Sequence, residues 1–135
     1  MTHISAYINF EGECRNAMQF YQQCLGGELN LQKISQSPMA AQMPSEKAGH
    51  ILHGSLVSKG MVIMGSDITP PDFLRGNNIR LCLQCNSNEE IEQYFTSLSE
   101  AGKVKTPLHQ TFWGATYGEF TDRFGINWIL NYSKN

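Results

Sequence analysis

His50 and His53 are the first residues whose types suggest chemistry, because two imidazoles three positions apart can share a divalent metal on a helix. On an extended strand, residues three apart point to opposite faces, so a shared metal would need a bulge and solvent-facing or hydrogen-bonded rings are expected instead. Cys82 and Cys85 have the spacing of a redox pair. A reactive pair normally sits where a helix N-terminus or a cation lowers a thiol pKa, whereas inside a strand structural thiols are expected. Tyr7, Phe112, Trp113 and Tyr117 offer aromatic surface suited to stacking on a flat ligand, and the tyrosines and tryptophan add a polar tip to orient it. Core packing accounts equally well for Phe112 and for Trp128. Glu119 is a candidate general acid/base if it stands in a low-dielectric pocket. No Ser-His-Asp order, phosphate loop or nucleotide-binding glycine fingerprint occurs, and His3 and His109 are isolated in sequence.

These groups need elements to position them. Apolar residues at 4, 6, 8 and 10 have the period of a half-buried strand. From Glu13 the spacing lengthens to Ala17, Phe20, Tyr21, Cys24 and Leu25, which predicts a helix, and Gly26-Gly27 supplies its stop. Leu29, Leu31 and Ile34 suggest a second strand, and residues 37–49 have no useful periodicity and read as a mobile loop in which Met39 and Met43 are candidates for an apolar lid. Strands are predicted over 50–58 and 61–66, joined tightly at Lys59-Gly60.

The order then repeats. A strand over 79–85, a helix over 89–101 closed by Gly102, and strands near 103–108, 115–121 and 127–132 follow. Gln19-Phe20-Tyr21 before Leu25-Gly26-Gly27 corresponds to Gln93-Tyr94-Phe95 before Ala101-Gly102, an internal duplication weak in identity and strong in order. The expected fold class is α+β: two βαβββ modules, about 1–68 and 78–135 with a linker at 69–77, forming curled, mainly antiparallel sheets that bound a cavity within a single domain over 1–135.

Bulk properties exclude other classes. The 135 residues suffice for one continuous core or two small fused ones, and 41% hydrophobic with 16% charged residues is ordinary for a soluble globular chain. Twelve acidic and ten basic residues give a net charge of -2 without runs, so nucleic-acid binding is not expected. No segment is apolar and long enough to span a bilayer, and Met1-Thr2-His3-Ile4 does not open an export signal, so a cytoplasmic protein with reduced thiols is expected, without membrane association. Cys14 and Cys24 would be separated by about 15 Å of helix rise, beyond disulfide reach.

The opening Tyr7-Ile8-Asn9-Phe10-Glu11-Gly12, with Ala17-Met18-Gln19-Phe20-Tyr21 and Leu25-Gly26-Gly27-Glu28, resembles the start of PhnB-like proteins of the glyoxalase/bleomycin-resistance, or vicinal oxygen chelate, superfamily. Gln110 to Ala115, Tyr117-Gly118 and Thr121 to Trp128 resemble that branch's end, which carries a demethylubiquinone methyltransferase-like label. No glycine loop for a methyl donor is visible and the chain is short for that fold, so methyl transfer is not expected. The resemblance implies open-barrel sheets, frequent homodimers, and often a divalent metal held on the first, fourth, fifth and eighth strands. Aligned on Phe20-Tyr21, on 61–64, on 81–83 and on 125–128, those four positions fall near Ala6, Met64, Arg80 and Ile129, none a usual ligand for such a metal. No native metal or other cofactor is therefore expected, a divalent metal being the alternative.

The same alignment turns Arg80 toward the cavity, where a guanidinium needs an anionic partner, either Glu119 or a bound anion. The resulting expectation is a metal-free small-molecule binding protein and homodimer, with Tyr7, Arg80, Trp113, Tyr117 and Glu119 as the ligand-binding residues. The alternative is a lyase, isomerase or dioxygenase-like enzyme in the same cavity, using a displaced metal on His50, Cys82 and Glu119 or using Glu119 as an acid/base. An interaction module acting through its sheet edges is a third class.

Overall fold

A computed structural model describes residues 2–134, which fall into two compact units, Met1–Leu74 and Arg75–Asn135. The first runs β1 (Ala6–Asn9), α1 (Cys14–Leu25), β2 (Glu28–Lys33), β3 (Ile51–Ser58) and β4 (Met61–Ser66). The second runs β5 (Leu81–Gln84), α2 (Asn88–Leu98), β6 (Lys103–Gln110), β7 (Ala115–Thr121) and β8 (Asn127–Ser133). Each is a βαβββ module with the same strand order, β1-β4-β3-β2 and β5-β8-β7-β6. In each, the first and last strands run parallel and the other two pairs antiparallel.

The expectation of curled sheets is corrected here. Each sheet is an open ladder of four strands whose edges, β1 and β2 or β5 and β6, do not pair with one another. Bringing the edges of a sheet into hydrogen-bonding range takes the accumulated tilt and stagger of about eight strands in small closed barrels, twice what either sheet has. Alternation in a sequence reports which face is buried and carries no signal for curvature.

Helix α1 covers one face of the first sheet with Cys14, Ala17, Met18, Phe20, Tyr21 and Leu25, all buried, against Leu56 and Ile63. It ends where the sequence places the stop: Gly26 and Gly27 adopt φ of 75° and 95°. Its start lacks a local side-chain cap. Asp67, just beyond β4, substitutes: Oδ1 accepts from the backbone N–H groups of Gly12 and Cys14 at 2.8 and 3.1 Å, and Oδ2 from that of Ile51 at 2.8 Å. One carboxylate thus ties the helix start to both ends of the β3–β4 hairpin. That hairpin turns through Lys59 and Gly60, both at positive φ as a two-residue turn of the favoured hand requires. Residues 37–49, expected as a loop without structure, contain two 3₁₀ turns, Pro38–Gln42 and Ser45–Lys47, and Ile34, expected on the second strand, is buried at the start of a third, Ile34–Gln36.

In the second unit Ile91, Tyr94, Phe95 and Leu98 of α2 pack on Phe120, Trp128 and Leu130. Phe120 meets Phe95 edge-on at 5.1 Å and lies parallel to Trp128 at 6.2 Å. Ser87 caps α2 by accepting from the Glu90 N–H at 3.1 Å, and Glu90 reaches back to the Asn86 N–H at 2.8 Å. Trp128 is core. Phe112, for which core packing was an equal account, is 97% exposed, because it sits on the hairpin tip rather than on a strand.

Candidate functional site

A sheet covered by one helix leaves its other face open for function. In the second unit the even-numbered residues of β7 and β8, Gly118, Phe120, Trp128 and Leu130, face α2. By alternation Tyr117, Glu119, Ile129 and Asn131 face away, as does Cys82, which is level with Ile129 in the parallel ladder. Arg80, immediately before β5, shares the parity of Cys82.

Arg80, Tyr117 and Glu119 converge on this face. Arg80 Nη1 lies 3.0 Å from Glu119 Oε2, their side chains 46% and 25% exposed. Tyr117 donates its phenolic proton to the same oxygen at 2.5 Å, and Thr106 donates to Oε1 at 3.2 Å. Both carboxylate oxygens are therefore served from within the protein. The Tyr117 hydrogen bond, with Thr106 and Arg80 adding to it against partial burial, holds the Glu119 carboxyl below its ordinary range. The same bond, with burial, raises the Tyr117 phenol. Beside the pair lies a depression of about 370 Å³ lined by Asn77, Asn78, Arg80, Lys105, Glu119 and Asn127, and by the little that Phe120 and Trp128 expose.

Lys105 and Thr106 were absent from the sequence reading, and the backbone explains why. Val104 pairs with Phe120 and Thr106 with Glu119, so three residues of β6 oppose two of β7 and Lys105 is the extra one, a β-bulge. The bulge suspends alternation: Lys105 lines the depression while the next residue, Thr106, bonds Glu119. A second irregularity between Thr106 and His109, at Pro107 with its missing N–H, places His109 opposite Tyr117, ring centroids 6.0 Å apart. Pro107 in an otherwise regular strand was the visible signal.

The other sequence candidates lie elsewhere. Trp113 sits on the β6–β7 hairpin tip, 62% exposed, edge-on to Phe112 at 4.8 Å, outside the residues lining the depression. Tyr7 belongs to the first unit, on the helix-free face of its sheet, level with Met64, with His53 at 5.8 Å between ring centroids. Ala6, aligned above with a ligand position, pairs with Ile63 and faces α1. His50 precedes β3 and lines a separate depression with Glu11, Lys47 and Asp67. The residues at the implied metal positions are thus a thioether, a guanidinium and an aliphatic chain, with Tyr7 rather than Ala6 as the fourth, and this set does not fit a divalent cation. Among the described residues no group of three or more His, Cys, Asp or Glu is placed to hold a metal, His50, Cys82 and Glu119 included. Nor, among the described residues, is any helix long and apolar enough to cross a membrane.

Residues 2–131 match the family described as 3-demethylubiquinone-9 3-methyltransferase. Protein YjdN of Escherichia coli K12 is 33% identical over 141 aligned positions, covering 97% of this chain and 95% of that protein. The crystal structure of protein PA1353 from Pseudomonas aeruginosa is 35% identical and superposes with a TM-score of 0.85 over the whole of both chains. A PhnB protein from Bacillus cereus, at 22% identity, shares the fold with a TM-score of 0.78 over 98% of this chain and all of that one.

Proposed function

Since this chain belongs to the family described as 3-demethylubiquinone-9 3-methyltransferase, the PhnB-like branch of the vicinal oxygen chelate superfamily, we propose that it is a metal-free binder of a small molecule. The ligand is held on the helix-free face of the second sheet. Arg80 supplies the charge, Glu119 fixes Arg80, Tyr117 fixes Glu119 and adds aromatic surface, and Trp113, exposed at the tip of the same hairpin, is the further aromatic contact. One observation carries this reading: a half-exposed guanidinium is anchored on a carboxylate already satisfied by two other donors, beside an open depression. A single contact through Nη1 uses one of the five guanidinium N–H donors and leaves the rest to a ligand.

Methyl transfer, named in the family's description, is not part of the proposal. A methyl donor of nucleotide type is bound elsewhere by a glycine loop at the switch point of a doubly wound parallel sheet, and both sheets here are mixed ladders of four strands. General-acid catalysis by Glu119 is not favoured either, since its carboxyl is held below the ordinary range, and a base role is opposed by the engagement of both its oxygens with Thr106, Tyr117 and Arg80. The two units are proposed to act as one domain over 1–135, in a homodimer that covers strand edges.

Elemental analysis of freshly purified, untagged protein is the test, followed by titration with Ni, Zn, Mn and Fe(II) under reducing conditions and a thermal-shift screen of small anions and aromatics. The expected result is sub-stoichiometric metal and stabilisation by at least one compound that requires Arg80. A tightly bound stoichiometric metal would overturn the reading in favour of lyase, isomerase or oxygenase chemistry. Sedimentation velocity tests the dimer.

A further inference from the structure

Lys105 differs from the two arginines of the second unit that hold ion pairs. Arg80 is paired with Glu119 and Arg123 with Glu100, each at 3.0 Å. Lys105 lines the same depression as Arg80, and among the described residues no carboxylate lies within ion-pair range of it. It is aimed there by the bulge in β6, a device found disproportionately where a strand must present a side chain to a site.

The rest of the lining is donor-rich. Glu119 is the one acidic residue among the lining residues, and its oxygens are occupied by Thr106, Tyr117 and Arg80. Asn127 accepts from Thr121 Oγ1 through Oδ1 at 2.6 Å, which fixes its amide and leaves the NH₂ group to donate. Asn77 and Asn78 add two further amides at the rim. Phe120 and Trp128, only 1% and 2% exposed, give a neutral aromatic ligand little surface to bury.

Two cations facing one saturated carboxylate, with amide donors around them, repel a cationic ligand and suit a negative group with several acceptor oxygens. We propose that the depression is an oxyanion site in which Lys105 is the second cation beside Arg80, so that the bound molecule carries a carboxylate or phosphate group. The inference rests on the small-molecule reading above and narrows its ligand class.

The test is a two-dimensional amide NMR titration of the full chain with sodium benzoate, inorganic phosphate and neutral benzamide at matched ionic strength, repeated on Lys105→Met and Lys105→Arg. Lys105 is exposed, so neither variant threatens the fold. Benzoate or phosphate is expected to shift resonances of residues 77–80, 105, 119 and 127 saturably, with affinity falling about fivefold in Lys105→Met and retained in Lys105→Arg. Benzamide is expected to leave those resonances in place, and added salt to weaken binding of either oxyanion. If benzamide shifts them as benzoate does and Lys105→Met changes nothing, the oxyanion inference falls while small-molecule binding stands. If none of the three moves any resonance on this face, both fall.

Discussion

Tyr117 and Glu119 lie two residues apart on β7, so their side chains leave the sheet on the same side, and the phenol donates to the carboxylate at 2.5 Å. That bond is the largest cause of both pKa displacements at the site, down for the acid and up for the phenol. The ion pair with Arg80 contributes less to the displacement of the acid and sets where the guanidinium points.

The acid limb of stability should report this arrangement. A carboxyl whose folded pKa lies below its ordinary 4.5 contributes stability that is fully present above that value and lost as pH falls through the folded one. Glu119→Gln should therefore cost about 1 kcal/mol or less at pH 7, given the solvent exposure of the pair. The gap between wild type and variant should close as the pH drops below the carboxylate range. Urea unfolding at neutral and acidic pH checks this, and a pH-independent gap would refute it. Tyr117, with its pKa raised, contributes in the opposite sense: its share is complete below the ordinary 10 and is lost as pH rises through the folded value.

Thiol labelling should separate the cysteines by burial rather than by motif. Burial first, then Glu90 and Cys82, pushes the Cys85 thiol up to about 12, and burial with Asp67 does the same for Cys14. A thiol with that pKa is roughly one part in ten thousand thiolate at pH 8. Iodoacetamide at pH 8, read by peptide mass spectrometry, should modify exposed Cys82 at least about a hundredfold faster than Cys85 or Cys14. Comparable rates at Cys82 and Cys85 would restore the redox-pair reading of their spacing.

What the sequence made legible was local. The alternation at 4–10, the glycines at 26 and 27, and the Lys59-Gly60 turn each act over a few residues, and the structure has a strand, a helix end and a hairpin there. The alignment turns Arg80 toward the cavity and leaves Glu119 or a bound anion as its partner, and the Arg80 guanidinium lies 3.0 Å from the Glu119 carboxylate. What stayed hidden depends on contacts distant in sequence or on broken alternation. Asp67 caps α1 from more than fifty residues away, and Lys105 reaches the site only because a bulge interrupts the period of two. Curvature was misjudged for a related reason, since it is a property of strand number and pairing rather than of any one strand.

Asp122 should prove the most costly polar residue of the second unit to remove. It is 3% exposed and accepts from the backbone N–H groups of Phe124 and Ile126 at 2.8 and 3.1 Å and from the Trp128 indole at 2.9 Å. Asp122→Ala leaves those donors without this acceptor and should destabilise by about 3 kcal/mol. Asp122→Asn keeps one acceptor oxygen, sets an amide donor against the indole, and should cost less. Urea unfolding followed by tryptophan fluorescence measures both. A loss under about 0.5 kcal/mol for the alanine variant would be that of an ordinary surface residue and would sink the argument.

Gly26 and Gly27 differ in a way that stability can resolve. Both have positive φ, 75° and 95°, so alanine at either meets backbone strain. Nothing lies within 4 Å of a Cβ built on Gly26, whereas one built on Gly27 would stand 2.3 Å from the Val57 carbonyl oxygen and 2.5 Å from Ser58 Cβ. Gly26→Ala should therefore cost about 1 kcal/mol from conformation alone. Gly27→Ala must also displace strand β3, which Ser58 ties to α1 by donating to the Leu25 carbonyl at 2.9 Å, and should cost about 3 kcal/mol or more. Thermal or urea unfolding of the two variants side by side decides it, and equal losses would mean that the close approach of the helix end to β3 contributes nothing.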